Sequence, residues 1–336
     1  MIINQAITAS GGDDGSFKAV IEGTATHPTL PSDLTTIRNN AFYEYGTLAL
    51  TSLPSGVTSI GDYAFYKCTN LALASLPSGV TGIGANAFRS CANLALASLP
   101  SGVTSIGINA FASCYNITLT SLPSGLTKIN DYTFDACTNL ALTSLPSGVT
   151  TIGNSAFRTC KNLAIASLPS GVTKIDSYAF AYCTSIASIE CDGAITTLGN
   201  GAFASNSSNP MQLASVSFPN MAVYSLGTAF GASSAAYACQ QLAFADIGKT
   251  SSIAANAFAN CYKLQTLVLR KTGSICTLAN VSAFTNTPMN GYNGKTGTVY
   301  VPSALISSYQ TASNWSTLYN NGTLTFAAIE GSQYAL

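Results

Sequence analysis

The amino-acid sequence predicts a β-dominated solenoid, in which coils of 23 residues stack on one another through short parallel strands. Three observations predict it. A phenylalanine recurs every 23 residues from Phe42 to Phe203. Each interval carries two short apolar runs, which proline and glycine separate. A unit of this length cannot bury its own apolar face, so neighbouring units must stack with their strands paired in parallel.

The repeat extends over most of the chain. Seven identical steps separate its first eight phenylalanines, which are Phe42, Phe65, Phe88, Phe111, Phe134, Phe157, Phe180 and Phe203. The spacing then becomes 27, 28 and 26 residues through Phe230, Phe258 and Phe284, which indicates the same repeat with insertions. About eleven repeats are therefore predicted between residues 30 and 290.

One unit, residues 70–92, illustrates the expected local structure. Residues 71–76 are predicted as a first strand that ends at Pro77, because proline has no N–H group to continue a ladder. Residues 80–83 are predicted as a second, shorter strand. Residues 85–90 are predicted as a single helical turn that carries the repeat phenylalanine inward.

The unit resembles the repeat of the BspA-like bacterial leucine-rich-repeat family, whose pattern is close to N-L-x-x-I-x-I-P-x-x-V-x-x-I-G-x-x-A-F-x-x-C. The match holds at Asn139, Leu140, Leu145, Pro146, Val149, Ile152, Gly153, Ala156, Phe157 and Cys160. The resemblance implies an α/β leucine-rich-repeat solenoid, right-handed and curved, with the first strand of each coil on a concave sheet. It also implies a surface-displayed protein that acts in adhesion and carries no catalytic site.

Both ends of the array are predicted to be capped, since terminal coils would otherwise expose apolar faces and unpaired strand edges. Residues 1–29 are expected to form a flexible leader and an N-terminal cap, with a strand at residues 17–22. Residues 291–336 are expected to form the C-terminal cap. Trp315, the only tryptophan of the chain, is interpreted as an anchor of that cap.

The composition excludes several classes of function. The 336 residues include 13 Lys and Arg and 13 Asp and Glu, and charged residues make up 8% of the chain. Ordinary domains have about 25%, so the sequence predicts no nucleic-acid binding. No apolar run is long enough to span a membrane, and membrane insertion is not expected. The first residues lack a basic and apolar leader, so we expect that a signal peptide is absent or was trimmed.

The ten cysteines are predicted to be free, buried thiols. Six of them, defined here as the cysteine ladder, follow each repeat phenylalanine by three residues: Cys68, Cys91, Cys114, Cys137, Cys160 and Cys183. The spacing of the coils would permit some adjacent disulfides, but the parallel side-chain directions disfavour them. A metal site is not expected, because the chain has no C-x-x-C motif and one histidine.

The sequence predicts no catalytic residues and no cofactor. His27 is interpreted as a surface or cap residue, since no nucleophile is placed near a base. The Gly-rich leader around Asp13 and Asp14 is interpreted as a flexible tail, with Ca²⁺ binding as the weaker alternative. An enzymatic function would need a polar pocket, for which the insertions at residues 205–211 and 233–241 offer the only places.

A row of leucines on the concave face is the candidate partner-binding site. The less regular coils are apolar at the first, fourth and sixth strand positions, and this register applied throughout exposes the third position. The alternative is that the regular strands bulge and bury the third position. The row, defined here as the leucine row, is Leu50, Leu73, Leu96, Leu119, Leu142 and Ile165. Exposed, it would form an interaction site or a homodimer contact.

Together these features predict a noncatalytic, extracellular or cell-surface leucine-rich-repeat protein. Its expected partners are proteins or glycans on host or microbial surfaces. The alternative is a structural module of a bacteriophage tail or baseplate appendage. Fold by itself does not assign function, and the sequence does not identify the partner.

Overall fold

The computed structural model of the chain describes residues 30–206, 208–232, 234 and 237–336. The predicted strand at residues 17–22, His27 and the Gly-rich leader lie outside these residues, as do positions 233, 235 and 236 of the second insertion. The described chain divides into two compact units. Unit 1 comprises residues 30–149 and 155–163, and unit 2 comprises residues 150–154 and 164–336.

Unit 1 is a stack of coils in parallel register. Ile37 pairs with Ile60, which in turn pairs with Ile83, so that each strand residue pairs with its equivalent one coil later. The isoleucine of each two-residue strand is buried and its neighbour faces outward. The strands are β1 (Thr36–Ile37), β2 (Ser59–Ile60), β3 (Gly82–Ile83), β4 (Ser105–Ile106) and β5 (Lys128–Ile129), and β1 to β4 form one parallel sheet.

Unit 2 continues the same type of coil and adds a wider sheet. Its strands are β6 (Thr151–Ile152), β7 (Lys174–Ile175), β8 (Ser188–Glu190), β9 (Thr197–Leu198), β10 (Ser215–Ser217), β11 (Ser225–Leu226), β12 (Phe244–Asp246), β13 (Ser252–Ile253), β14 (Thr266–Val268), β15 (Thr277–Leu278), β16 (Gly297–Val301) and β17 (Leu324–Ala328). The order β8-β10-β12-β14-β16-β17 forms a six-stranded sheet of the described residues. Parallel pairing also joins β6, β7 and β9, and β11, β13 and β15.

Helical structure is sparse in the described part of the chain. Two short α-helices, α1 (Ile306–Thr311) and α2 (Trp315–Asn320), follow β16. Four 3₁₀ segments span Val281–Phe284, Pro288–Asn290, Tyr292–Gly294 and Ser303–Leu305. The parallel-strand solenoid that the sequence predicts is therefore confirmed within each unit.

The repeat phenylalanines form a stacked column in the core of each unit. In unit 1 the rings from Phe42 to Phe157 have centroids 5.2 to 5.7 Å apart, with interplanar angles of 9° or less. In unit 2 the rings from Phe180 to Phe284 stack at 5.4 to 5.7 Å. All of these side chains are buried. The prediction that equal sequence spacing gives equal buried environments is confirmed.

The segment around each repeat phenylalanine is a series of tight turns, and the predicted helical turn was wrong. Asn86 and Ser90 have left-handed backbones, with φ of 55° and 61°. The N–H groups of Asn86, Phe88 and Ser90 each donate to a carbonyl of the next coil at 2.8 Å. The intervening N–H groups of Ala87 and Arg89 bond three residues back. A helix would use all these donors internally, whereas the alternating pattern links neighbouring coils.

The first apolar run of the regular coils is not a strand, which corrects the predicted register. Leu71, Leu73 and Leu76 are buried, while Ala74 is exposed at a bend of the backbone. In the strand β8 and its flanks the register is the expected one, with Ile189 buried at the fourth position. The regular coils bury the third position because it holds a leucine, which removes more apolar surface from water than alanine or threonine at the fourth.

The leucine row is therefore part of the core. All six of its side chains are at most 7% exposed, namely Leu50, Leu73, Leu96, Leu119, Leu142 and Ile165. The expectation of an exposed apolar stripe was wrong, and the alternative, in which the regular strands bulge, describes the structure. The homodimer contact that was expected from this stripe loses its basis.

Trp315 packs beyond the last repeat phenylalanine. Its ring centroid is 5.8 Å from that of Phe284, and its side chain is fully buried. The indole Nε1–H donates to the carbonyl of Cys276 at 2.8 Å, and the N–H of Cys276 donates to the hydroxyl of Tyr309 at 2.7 Å. The polar atoms of both large aromatic side chains are thus satisfied at the end of the phenylalanine column.

Candidate binding surface

The cysteines are free and buried, as the sequence predicts, and they have a structural role. All ten are unpaired thiols. Within unit 1 each ladder thiol from Cys68 to Cys160 donates to the carbonyl of the phenylalanine 26 residues earlier, at 2.9 to 3.0 Å. Burial raises the pKa of the Cys68 and Cys276 thiols to about 12. A protonated, buried thiol is a poor nucleophile, so the geometry does not suit covalent catalysis.

The first insertion satisfies its own polar groups in the residues that the structure describes. The hydroxyl of Ser205 accepts from the N–H of Met211 at 3.0 Å. The amide oxygen of Asn206 accepts from the backbone and side-chain N–H groups of Asn209, at 2.7 and 3.3 Å. Outside the undescribed positions, no group of three or more His, Cys, Asp or Glu is close enough together to hold a metal ion.

The exposed positions of the regular coils differ between two sides of the coil. Beside the first apolar run the exposed residues are small, such as Ala72, Ala74 and Ser75. Around the repeat phenylalanine the residue type changes from coil to coil. We define the turn face as the residues two before, one after and two after each repeat phenylalanine. The aromatic and charged side chains of the first two coils lie there.

Three tyrosines of the turn face form a compact group, defined here as the tyrosine cluster: Tyr43, Tyr63 and Tyr66. The rings of Tyr43 and Tyr66 stack at 4.9 Å, and those of Tyr63 and Tyr66 meet edge to face at 5.6 Å. Tyr43 and Tyr63 lie 6.1 Å apart and are 39% and 38% exposed. The cluster therefore presents aromatic surface to solvent while its rings support one another.

An ion pair borders the tyrosine cluster. The ammonium of Lys67 lies 2.8 Å from Oε1 of Glu44 and 5.2 Å from the ring centroid of Tyr66. The hydrogen bond to Glu44 raises the pKa of Lys67 above its ordinary value, so the amine stays charged. The two opposite charges cancel, and the cluster has a polar border without a net charge.

The backbone holds this arrangement through bonds between coils. The N–H of Glu44 donates to the carbonyl of Tyr66 at 2.7 Å, and the N–H of Lys67 donates to that of Arg89 at 2.8 Å. Tyr63 and Lys67 have left-handed backbones, with φ of 56° and 58°. Because each turn is bonded to the next coil, the rings project from a fixed frame.

Comparison with known proteins assigns the family. A family model described as the BspA type leucine rich repeat region matches with six copies, at residues 18–141, 104–230 and 209–304. The chain belongs to the BspA-type leucine-rich-repeat family. No curated protein matches it.

Solved structures share this BspA-type fold. A leucine-rich repeat protein from Bacteroides ovatus is 20% identical, with 93% of this chain and 86% of that chain covered and a TM-score of 0.51. A leucine rich cell surface protein from Faecalibacterium prausnitzii is 22% identical over 91% of this chain and 85% of that chain, with a TM-score of 0.39. A T. pallidum leucine-rich repeat protein is 30% identical over 48% of this chain and 78% of that chain, with a TM-score of 0.40.

The BspA-type pattern leaves the positions of the tyrosine cluster free, and sequence reasoning missed them. The signal was present, because a tyrosine directly follows the repeat phenylalanine only at Tyr43 and Tyr66. The search for periodic features selected residues that recur in every coil, whereas these tyrosines are exceptions to the repeat. In the described part of the BspA-type chain, no helix is long and apolar enough to cross a membrane.

The outer face of the six-stranded sheet is partly covered by the chain itself. Tyr334 stacks on Phe244 at 5.2 Å and meets Tyr300 edge to face at 4.6 Å. Asp246, on β12, is buried and accepts from Nε of Arg270 at 2.8 Å. The aromatic and charged groups of this face are thus engaged within unit 2, unlike the tyrosine cluster of unit 1.

Proposed function

We propose that this BspA-type protein is a noncatalytic, surface-displayed or secreted protein that mediates adhesion by binding a protein or a glycan. The observation that carries the proposal is the tyrosine cluster, which combines exposed aromatic side chains with a rigid, hydrogen-bonded frame. Tyrosine is enriched at binding surfaces because one ring supplies a large contact area at a small entropic cost.

Localisation outside the cell or on its surface is part of the same proposal. The BspA-like repeat implies surface display. The low content of charged residues, 8% of the chain, agrees with a function that relies on contact surface more than on long-range electrostatic attraction. Support for a noncatalytic function comes from the thiols, because hydrogen bonds and burial hold them in structural roles.

The test is retention of whole cells on the immobilised protein. Purified chain is coupled to beads, and fluorescently labelled bacteria or epithelial cells are passed over them with and without soluble chain as competitor. We expect saturable retention that the soluble chain abolishes. Heat-unfolded chain on the same beads is the control. Retention that does not saturate, or that unfolded chain supports equally, would contradict adhesion as the function.

A further inference from the structure

We infer that the tyrosine cluster binds a neutral sugar ring of a cell-surface glycan. The inference rests on the proposed function and names the partner class and the site. One face of a pyranose ring is covered by C–H bonds, while hydroxyl groups surround its edge. The C–H bonds carry a small positive charge, which is attracted to the negative face of an aromatic ring. A ligand of this chemistry needs an exposed aromatic surface with a polar border.

The cluster supplies both parts. Tyr43 and Tyr63 expose their rings, and Tyr66 supports them from 4.9 and 5.6 Å. The phenol hydroxyls and the pair Lys67–Glu44 supply hydrogen-bond donors and acceptors at the edge. Apolar contact on the face and polar contact at the edge is the pattern that a sugar requires.

Charge and size favour a glycan over a protein. Glu44 and Lys67 neutralise each other at 2.8 Å, so the border does not select a charged ligand. A stable protein interface buries about 800 Å² on each partner. Beyond these tyrosines the turn face of the next two coils continues with Ser90, Ala112 and Ser113, which give no further aromatic anchor. A ligand of the size of one or two sugar rings matches the cluster.

The backbone supports a role for Tyr63 outside folding. Its φ is 56°, in the left-handed region, which asparagine adopts more readily than tyrosine. Asn86 and Asn109 hold the corresponding positions of the next two coils, with φ of 55° and 56°. The repeat therefore accepts asparagine here, and the tyrosine ring at position 63 is not required by the turn. Strained positions of this kind are typical of binding sites.

The experiment measures binding of the purified chain to an array of neutral oligosaccharides built from glucose, galactose, mannose or N-acetylglucosamine, followed by calorimetric titration of the strongest ligand. The test variant is Tyr43→Ala combined with Tyr63→Ala. We expect its affinity to fall at least about tenfold, the change that corresponds to loss of about 1.4 kcal/mol. Tyr63→Phe keeps the ring and should stay close to the unmodified chain.

The matched control is Tyr178→Ala, which removes a 44% exposed tyrosine from the corresponding repeat position in unit 2. It should leave the affinity unchanged. Circular dichroism and the unfolding temperature show whether each variant is folded. The inference is overturned if no neutral oligosaccharide binds, or if the folded double variant binds as tightly as the unmodified chain.

Treatment of the target cells separates this inference from the proposed function. Periodate oxidises sugar diols, whereas protease removes surface proteins. Loss of cell retention after periodate, together with its loss in the double variant, supports the glycan site. Retention that survives periodate and disappears after protease keeps adhesion as the function and overturns the glycan inference. Absence of saturable retention on any cells overturns the proposed function itself.

Discussion

The thiol of Cys114 donates a hydrogen bond of 2.9 Å to the carbonyl oxygen of Phe88, which lies 26 residues earlier in the chain. The same oxygen accepts from the N–H of Cys91 at 3.0 Å. One carbonyl therefore closes the turn of its own coil and joins it to the next. The cysteine ladder is a set of cross-coil contacts, which explains why the thiols are buried and unpaired.

The first prediction concerns thiol reactivity. The native chain should react with almost none of its ten cysteines when treated with an aromatic disulfide reagent at pH 8, because all ten are buried. After unfolding in guanidinium without reductant, all ten should react. Spectroscopic titration of the released thiolate checks both values. Rapid reaction of several native thiols, or a low count after unfolding, would contradict the structure.

The second prediction is a loss of stability at alkaline pH. Burial raises the pKa of Cys68 from its ordinary value of 9.0 to about 12. The folded state therefore keeps the proton that the unfolded state releases, so stability is fully present below pH 9 and decreases as the pH rises toward 12. Each such thiol contributes a slope of about 1.4 kcal/mol per pH unit within this window.

Urea unfolding between pH 7.5 and 10, with reductant present, measures this dependence. The Cys68→Ser variant is the control, since a hydroxyl does not ionise in this range and one thiol's share of the slope should disappear. An unfolding free energy that is equal at pH 8 and pH 10 would be inconsistent with buried, protonated thiols.

The third prediction separates the core position of the leucine row from the exposed position that the sequence suggested. Leu96→Ala should lower the free energy of unfolding by about 2–5 kcal/mol, as expected for an emptied core site. Ala97→Ser, at the exposed neighbouring position, should change it by less than about 0.5 kcal/mol. Chemical unfolding of the two variants gives both values, and a small effect of Leu96→Ala would restore the exposed register.

The fourth prediction concerns the buried ion pair of the six-stranded sheet. Asp246 and Arg270 have side chains 2% and 11% exposed, and NH2 of Arg270 lies 2.6 Å from Oδ2 of Asp246. Arg270→Met leaves the carboxylate with one N–H donor, that of Gly248 at 3.0 Å. The variant should lose about 3–5 kcal/mol of unfolding free energy, because the remaining charge is buried without its partner.

A more exposed pair is the control for the fourth prediction. Arg158 lies 2.7 Å from Asp135 in unit 1, and Arg158→Met should cost less than about 1 kcal/mol because solvent screens this pair. Adding Asp246→Asn to Arg270→Met should recover part of the lost stability. Equal, small effects of the two arginine substitutions would show that Asp246 is not desolvated.

Much of the fold could be predicted because it repeats. Phe88 and Cys91 recur at one spacing, and stacking gives every copy the same environment, so one interpretation was tested many times within the sequence. Residues 71–76 and 85–90 were predicted less well. Local propensity cannot distinguish a strand from a bend when Leu73 and Ala74 compete for the core. It also cannot show that alternate N–H groups bond to the next coil.

The sequence by itself determined the stacked-coil architecture, the buried phenylalanine column and the unpaired cysteines, because each follows from periodicity and from the need of short units to bury apolar surface. Only the tertiary structure decided that the leucine row is core and that Tyr43, Tyr63 and Tyr66 meet on one surface. Those outcomes depend on which side chain the coil turns inward and on contacts between residues about 20 positions apart, and such contacts exist only once the coils have stacked.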